Sequence, residues 1–159
     1  MKNKNVLFMT QAAMIAAIYV VLTFLFAPFS FGEVQIRIAE ALTILPFFTS
    51  AAIPGLFVGC LIGNILGGAI LPDVVFGSLA TLLGAYLTYK LQKKSIFLAP
   101  LPPIICNTFV IPLILRYGYG VLLPIPLMML SVGIGEVISC GLLGLIVLIA
   151  LRTYTHHIF

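Results

Sequence analysis

Charge is what this sequence has least of. Four of its 159 residues are acidic and eight are lysine or arginine, so 8% are charged, against roughly 25% in an ordinary soluble domain. A soluble chain this poor in charge and 62% hydrophobic could not cover its own surface, which excludes a free-standing soluble enzyme or binding domain. Long apolar stretches recur from end to end and no soluble appendage interrupts them. The chain is therefore read as one integral-membrane domain over residues 1–159.

Other absences narrow the function. There is no nucleotide-binding glycine loop, no His-Glu metal helix and no serine nucleophile elbow, so neither catalysis nor ATP hydrolysis by this chain is expected. The net charge of +4 is not gathered into a basic patch with interleaved aromatics, so no nucleic-acid partner is expected. Cys60, Cys106 and Cys140 fall in apolar stretches without metal-ligand spacing and read as buried thiols, with no metal site. The first apolar stretch lacks a small-residue cleavage site and is expected to span the membrane as the later ones do. His156 and His157 lie in the polar tail and read as solvated.

What is present is a series of apolar segments at 6–27, 36–50, 53–69, 74–91, 97–116 and 125–152. They imply an all-α membrane protein, a compact bundle of six transmembrane helices in the lipid bilayer. The second and third are shorter than the ~20 residues of a perpendicular span, which leaves five as the alternative count. In a six-helix arrangement Lys2, Lys4, Lys90, Lys93, Lys94 and Arg152 share one side and Arg37 and Arg116 the other. Basic residues favour the cytoplasm, so both termini are expected there. The four acids, Glu33, Glu40, Asp73 and Glu136, then gather in the outer half of the membrane or above it, where an external solute would arrive.

Small residues describe the packing. Gly55, Gly59, Gly63 and Gly67 recur at four-residue spacing in "GLFVGCLIGNILG", a stripe that lets a neighbouring backbone approach. In "AAMIAA", Ala12 pairs with Ala16 and Ala13 with Ala17. These pairs suit either internal packing or docking of another membrane protein.

The polar residues inside the apolar stretches are the site candidates. Glu33, Arg37 and Glu40 share a helical face if the second helix begins early, and Arg37 and Glu40 either neutralise each other or orient a gate or contact a ligand. Glu136 in "SVGIGEVISC" has no cation nearby in sequence. A lone carboxylate in hydrocarbon costs about 3 kcal/mol or more, so it marks a functional site. Asn107 either satisfies the Thr108 carbonyl freed by Pro112 or reads a ligand edge. Asn64 reads as helix-packing glue. Tyr117 and Tyr119 in "YGYG" are interfacial aromatics or a cover for a flat ligand.

The blocks "VQIRIAEALTILPFF", "AAIPGLFVGCLIGNILGG", "DVVFGSLATLLGA", "LAPLPPIICN" and "GIGEVISCGLLG" together resemble the queuosine-precursor transporter (QueT) family, over about residues 10 to 145. Members are substrate-binding S components of energy-coupling factor transporters. The resemblance implies a multi-pass protein of the bacterial plasma membrane with six helices and a ligand held near the outer surface. It implies a deazapurine ligand, a 7-deazaguanine such as 7-aminomethyl-7-deazaguanine or queuine, whose donors suit carboxylates and an Asn carbonyl. The residues themselves suggest that Glu136 and Asn107 would meet its edge, that Arg37 and Glu40 would shape the pocket from the second helix with Glu40 in reach of a direct contact, that Asp73 would stand with them at the outer helix ends, and that Tyr117 and Tyr119 would cover the ligand. Ala12, Ala13, Ala16 and Ala17 match the motif that docks on a transmembrane coupling subunit. Two cytoplasmic ATPase subunits would use ATP to topple the S component, and this chain itself needs no cofactor. The alternatives are an S component for another vitamin-like solute, or a non-transport assembly subunit whose intramembrane charges are structural.

Overall fold

The structure is a computed structural model that describes residues 3–26 and 36–153. Lys2, Ser30, Glu33, His156 and His157 lie outside the described residues. Among those described, the chain forms six helices and no strand. The first, α1 (Lys4–Leu25), is an apolar run free of glycine and proline that stops three residues before Pro28. The second, α2 (Ile38–Phe47), has 3-10 geometry throughout and carries Pro46 inside it. It is shorter than the 36–50 segment read from the sequence. The tighter winding lengthens it, because a 3-10 helix rises about 2.0 Å per residue against 1.5 Å in an α-helix.

Helix α3 (Ala52–Leu66) ends at Gly67. The next residue, Gly68, takes φ +75°, and the Ala69 amide returns to the Asn64 carbonyl at 3.0 Å. Left-handed backbone of this kind favours glycine. A π turn (Asp73–Gly77) leads into α4 (Ser78–Lys90). A short 3-10 turn (Ile96–Leu98) precedes α5 (Leu101–Tyr117). Pro102 and Pro103 open α5 where no amide partner is required. Helix α6 (Ile125–Arg152) is continuous, but its middle, Val137–Leu143, is wound as a π-helix.

Three stretches are long and apolar enough to cross a membrane: Lys4–Leu25, Ile96–Tyr117 and Ile125–Arg152. The other helices are shorter and pack against them. Close approaches fix the directions. A Cβ on Gly55 would stand 2.7 Å from the Ala12 carbonyl, and one on Gly59 2.8 Å from Tyr19 Cβ. Residue numbers rise together along this seam, so α1 and α3 are parallel. Helix α2 runs between them in the opposite sense: Tyr19 meets Glu40, and Thr49 Oγ1 donates to Gln11 Oε1 at 3.3 Å. Thr81 of α4 meets Cys60 of α3 at 3.5 Å. A Cβ on Gly84 would lie 2.9 Å from Pro103 of α5, and Thr108 of α5 faces Gly133 of α6 at 3.5 Å. Neighbours in sequence thus alternate in direction. Lys4, Lys90 and Arg152 come to one end of the bundle, and Arg37, Asp73 and the loop after Tyr117 to the other.

Candidate functional site

A 3-10 helix has three residues per turn, so residues three apart lie on one line. In α2 that line begins at its N-cap and reads Arg37, Glu40, Thr43, Pro46, and all four are buried. The three-residue spacing of Arg37 and Glu40 does place them together, through 3-10 rather than α geometry. Their hydrogen-bond partners differ. Arg37 Nη2 donates to Asn64 Oδ1 of α3 at 2.8 Å and reaches Cys60 Sγ at 3.8 Å. Glu40 Oε1 accepts from the Tyr19 hydroxyl of α1.

Glu136 closes the other side. It is the last α-helical residue before the π segment of α6 and is only 3% exposed. Its Oε1 accepts from Asn107 Nδ2 of α5 at 3.1 Å, and its Oε2 accepts from the Cys140 thiol at 3.1 Å. Asn107 is thus aimed at Glu136 and not at the carbonyl freed by Pro112. Thr43 Oγ1 donates to the Glu40 carbonyl at 2.6 Å and touches Cys140 Sγ at 3.4 Å. One carboxylate oxygen each from Glu40 and Glu136 and the Cys140 sulfur lie within 4.8 Å of one another, close enough to surround a cation.

The result is a polar cluster built by five helices and buried in an apolar bundle. Taking each charge out of water costs several kcal/mol unless hydrogen bonds and opposite charge offset it. Most of its polar atoms have partners. Glu40 Oε2 and Ser139 Oγ are buried and have none among the described residues. An unsatisfied buried acceptor costs about 1–3 kcal/mol, so Glu40 Oε2 is an acceptor suited to a donor from a ligand.

Asp73 stands nearer the end of the bundle. The Tyr119 hydroxyl donates to its Oδ2 at 3.0 Å, and Asn64 Nδ2 reaches its backbone carbonyl at 3.4 Å. A chain Tyr119, Asp73, Asn64, Arg37 therefore runs inward from the loop after α5. Burial, and then the Asp73 carboxylate, push the Tyr119 phenol above its ordinary pKa. Tyr117 does not join this group. It is 78% exposed and lines an outward apolar groove of about 390 Å³ with Pro72, Phe76 and Leu113, because its place on α5 turns it away from the bundle. The alanine pairs are split as well. Ala16 is buried, and both Ala12 and Ala16 face α3, where a Cβ on Gly59 would come within 3.1 Å of Ala16. Ala12 and Ala16 are therefore used in internal packing, while Ala13 and Ala17 stay on the outer surface.

Six cluster members escaped the sequence reading as site residues: Tyr19, Thr43, Cys60, Asn64, Ser139 and Cys140. The Glu136–Cys140 spacing of four residues was a usable signal, since such pairs are neighbours on a helix. So was Tyr19, a polar aromatic in the middle of an apolar helix instead of at its end.

A helical bundle with three stretches able to cross a membrane and a charged cluster sealed in its interior defines an integral-membrane protein with an internal polar site. The sequence pattern of the QueT transporter family matches residues 9–153, and the chain belongs to that family. Over 85 residues it is 34% identical to the queuosine precursor transporter QueT of Lactococcus lactis subsp. cremoris (strain MG1363), a stretch covering 52% of this chain and 50% of the relative. The chain therefore matches about half the length of that curated relative. No solved structure matches it.

Proposed function

We propose that this chain is the substrate-binding S component of an energy-coupling factor importer in the bacterial plasma membrane, and that it captures a queuosine precursor from outside the cell. The observation that carries this reading is the buried acceptor cluster, in which Glu40 Oε2 has no donor among the described residues. A 7-deazaguanine is rich in N–H donors, and its aminomethyl form adds a cation. The Glu40, Glu136 and Cys140 atoms fall within 4.8 Å of one another. Glu136 and Cys140 are already hydrogen-bonded to each other at 3.1 Å, so Glu40 Oε2 is the acceptor offered to the ligand's ammonium or N–H donor.

In this reading Asn107 fixes Glu136, and Arg37 balances part of the negative charge from α2. Six crossings with Lys4, Lys90 and Arg152 in the cytoplasm agree with the alternating helix directions and the basic-residue bias. The exposed Ala13 and Ala17 offer a flat face for the coupling subunit, and the two ATPase subunits supply the energy. Thermal unfolding of the detergent-solubilised chain with a panel of solutes tests the proposal. The panel contains 7-aminomethyl-7-deazaguanine, queuine, guanine and a set of vitamins. A ligand at a hundred times its Kd stabilises by about 2.7 kcal/mol, a clear upward shift. Stabilisation by the deazaguanines is the expected result. Stabilisation by a vitamin alone assigns another substrate, and no response to any solute removes the binding role.

A further inference from the structure

We infer that Tyr19 is a positioning residue that makes Glu40 a one-oxygen acceptor for the ligand. The inference rests on the proposed binding site and adds to it a residue on α1. Tyr19 is fully buried, and its ring is fixed by a backbone that comes unusually close. A Cβ on Gly59 would lie 2.8 Å from Tyr19 Cβ, so only glycine leaves the space that the Tyr19 side chain passes through. From there the hydroxyl donates to Glu40 Oε1, while Thr23 Oγ1, one turn further along α1, donates to the Tyr19 carbonyl at 2.9 Å.

A glutamate carboxylate turns easily about its last torsion, whose distribution is broad. Without a partner on either oxygen, the plane of the Glu40 carboxylate would not be fixed. The Tyr19 hydroxyl occupies Oε1 and sets the carboxylate plane, which leaves Oε2 buried and without a partner among the described residues. Glu40 then presents one acceptor to a ligand instead of the two-oxygen fork that favours a guanidinium. The ligand class this selects is one that brings a single N–H donor or an ammonium to α2.

Calorimetry on the full chain with 7-aminomethyl-7-deazaguanine as the probe tests this as a double-mutant cycle. Tyr19→Phe keeps the ring beside Gly59 and removes only the hydroxyl. It is expected to weaken the probe roughly ten-fold in the wild-type background, the loss of one charge-assisted contact. In a Glu40→Gln background the same change is expected to alter affinity less than about two-fold. Glu40→Asp, which withdraws the carboxylate from the same hydroxyl and keeps the charge, is expected to match Tyr19→Phe. Equal losses from Tyr19→Phe in both backgrounds would mean that Tyr19 acts through packing and would overturn the inference. So would unchanged affinity in Tyr19→Phe when Glu40→Gln weakens binding. A wild-type chain that does not bind the probe, or an unchanged Glu40→Gln, removes the binding-site reading and the inference together.

Discussion

Glu136→Gln is the most informative single substitution. The side chain keeps its size, and the amide oxygen can still accept from Asn107 Nδ2, which now donates to Glu136 Oε1 at 3.1 Å. The new NH2 group then faces Cys140 Sγ, where Glu136 Oε2 now accepts at 3.1 Å. The local packing is therefore retained, and what disappears is one buried charge. A charge-assisted hydrogen bond to a ligand is worth about 1.5–3 kcal/mol, which is about ten- to a hundred-fold in affinity. The same change removes a charge whose burial costs about 3 kcal/mol or more. Thermal unfolding of the unliganded variant should therefore hold steady or rise while binding falls. Titration calorimetry with 7-aminomethyl-7-deazaguanine and a melting curve without it read the two effects separately. Unchanged affinity would refute the placement of Glu136 at the ligand. A parallel loss of stability and affinity would show that the carboxylate serves the fold.

Other expectations follow from the same geometry. Ala13→Trp, on the outer surface, should abolish uptake by the assembled transporter while leaving solute binding to the isolated chain intact, and a loss of binding would place this face inside the working fold. Ala16→Trp should instead lower thermal stability, because the backbone of Ala16 lies 3.1 Å from the Cβ position of Gly59. Gly59→Ala should cost about 1–3 kcal/mol through overpacking, since its methyl would meet Tyr19 Cβ at 2.8 Å; an unchanged melting temperature would contradict the tight α1–α3 seam. For topology, a cysteine at Leu122 should react with an impermeant maleimide on intact cells, and one at Ser95 should not. Cys60 and Cys140 are buried and can stay, while the half-buried Cys106 is replaced by serine. Labelling at Ser95 and not at Leu122 would invert the orientation.

The bundle was legible in the sequence because lipid-facing helices announce themselves by length and apolarity. The 125–152 segment coincides with Ile125–Arg152, and Gly55 and Gly59 of the glycine stripe do meet a neighbouring backbone, that of α1, while Gly63 meets the Thr23 side chain. The 3-10 winding of α2 was not legible, because its apolar pattern fits an α-helix equally well and only tertiary packing selects the tighter form. Nor was the π segment beside Glu136. The two alanine pairs look identical in sequence, and only the position of α3 decides which of them is covered.

The site was half legible. Charged and amide residues stranded in hydrocarbon, Glu40, Glu136 and Asn107, identified themselves by their cost, and the structure brings all three into one cluster. Residues that carry no such cost were passed over. A tyrosine or a cysteine is ordinary in an apolar helix, so Tyr19 and the Glu136–Cys140 spacing are weak signals by themselves, and the structure gives them weight by setting Glu40 and Glu136 beside them. Tyr117 keeps its interfacial-aromatic reading but parts company with Tyr119. Its spacing from Tyr119 suggested a shared role, but one residue ends α5 facing outward and the other sits in the loop and turns back to Asp73.

The central claim is that the buried cluster holds a queuosine precursor, and mass spectrometry of small molecules that co-purify with the chain tests it most directly. The chain is extracted in detergent from cells supplied with 7-aminomethyl-7-deazaguanine and queuine, and the bound fraction is released by denaturation. A 7-deazaguanine enriched on the wild-type chain and depleted in Glu136→Gln and Glu40→Gln is the expected result. Equal amounts on all three proteins, or none on any of them, would contradict it.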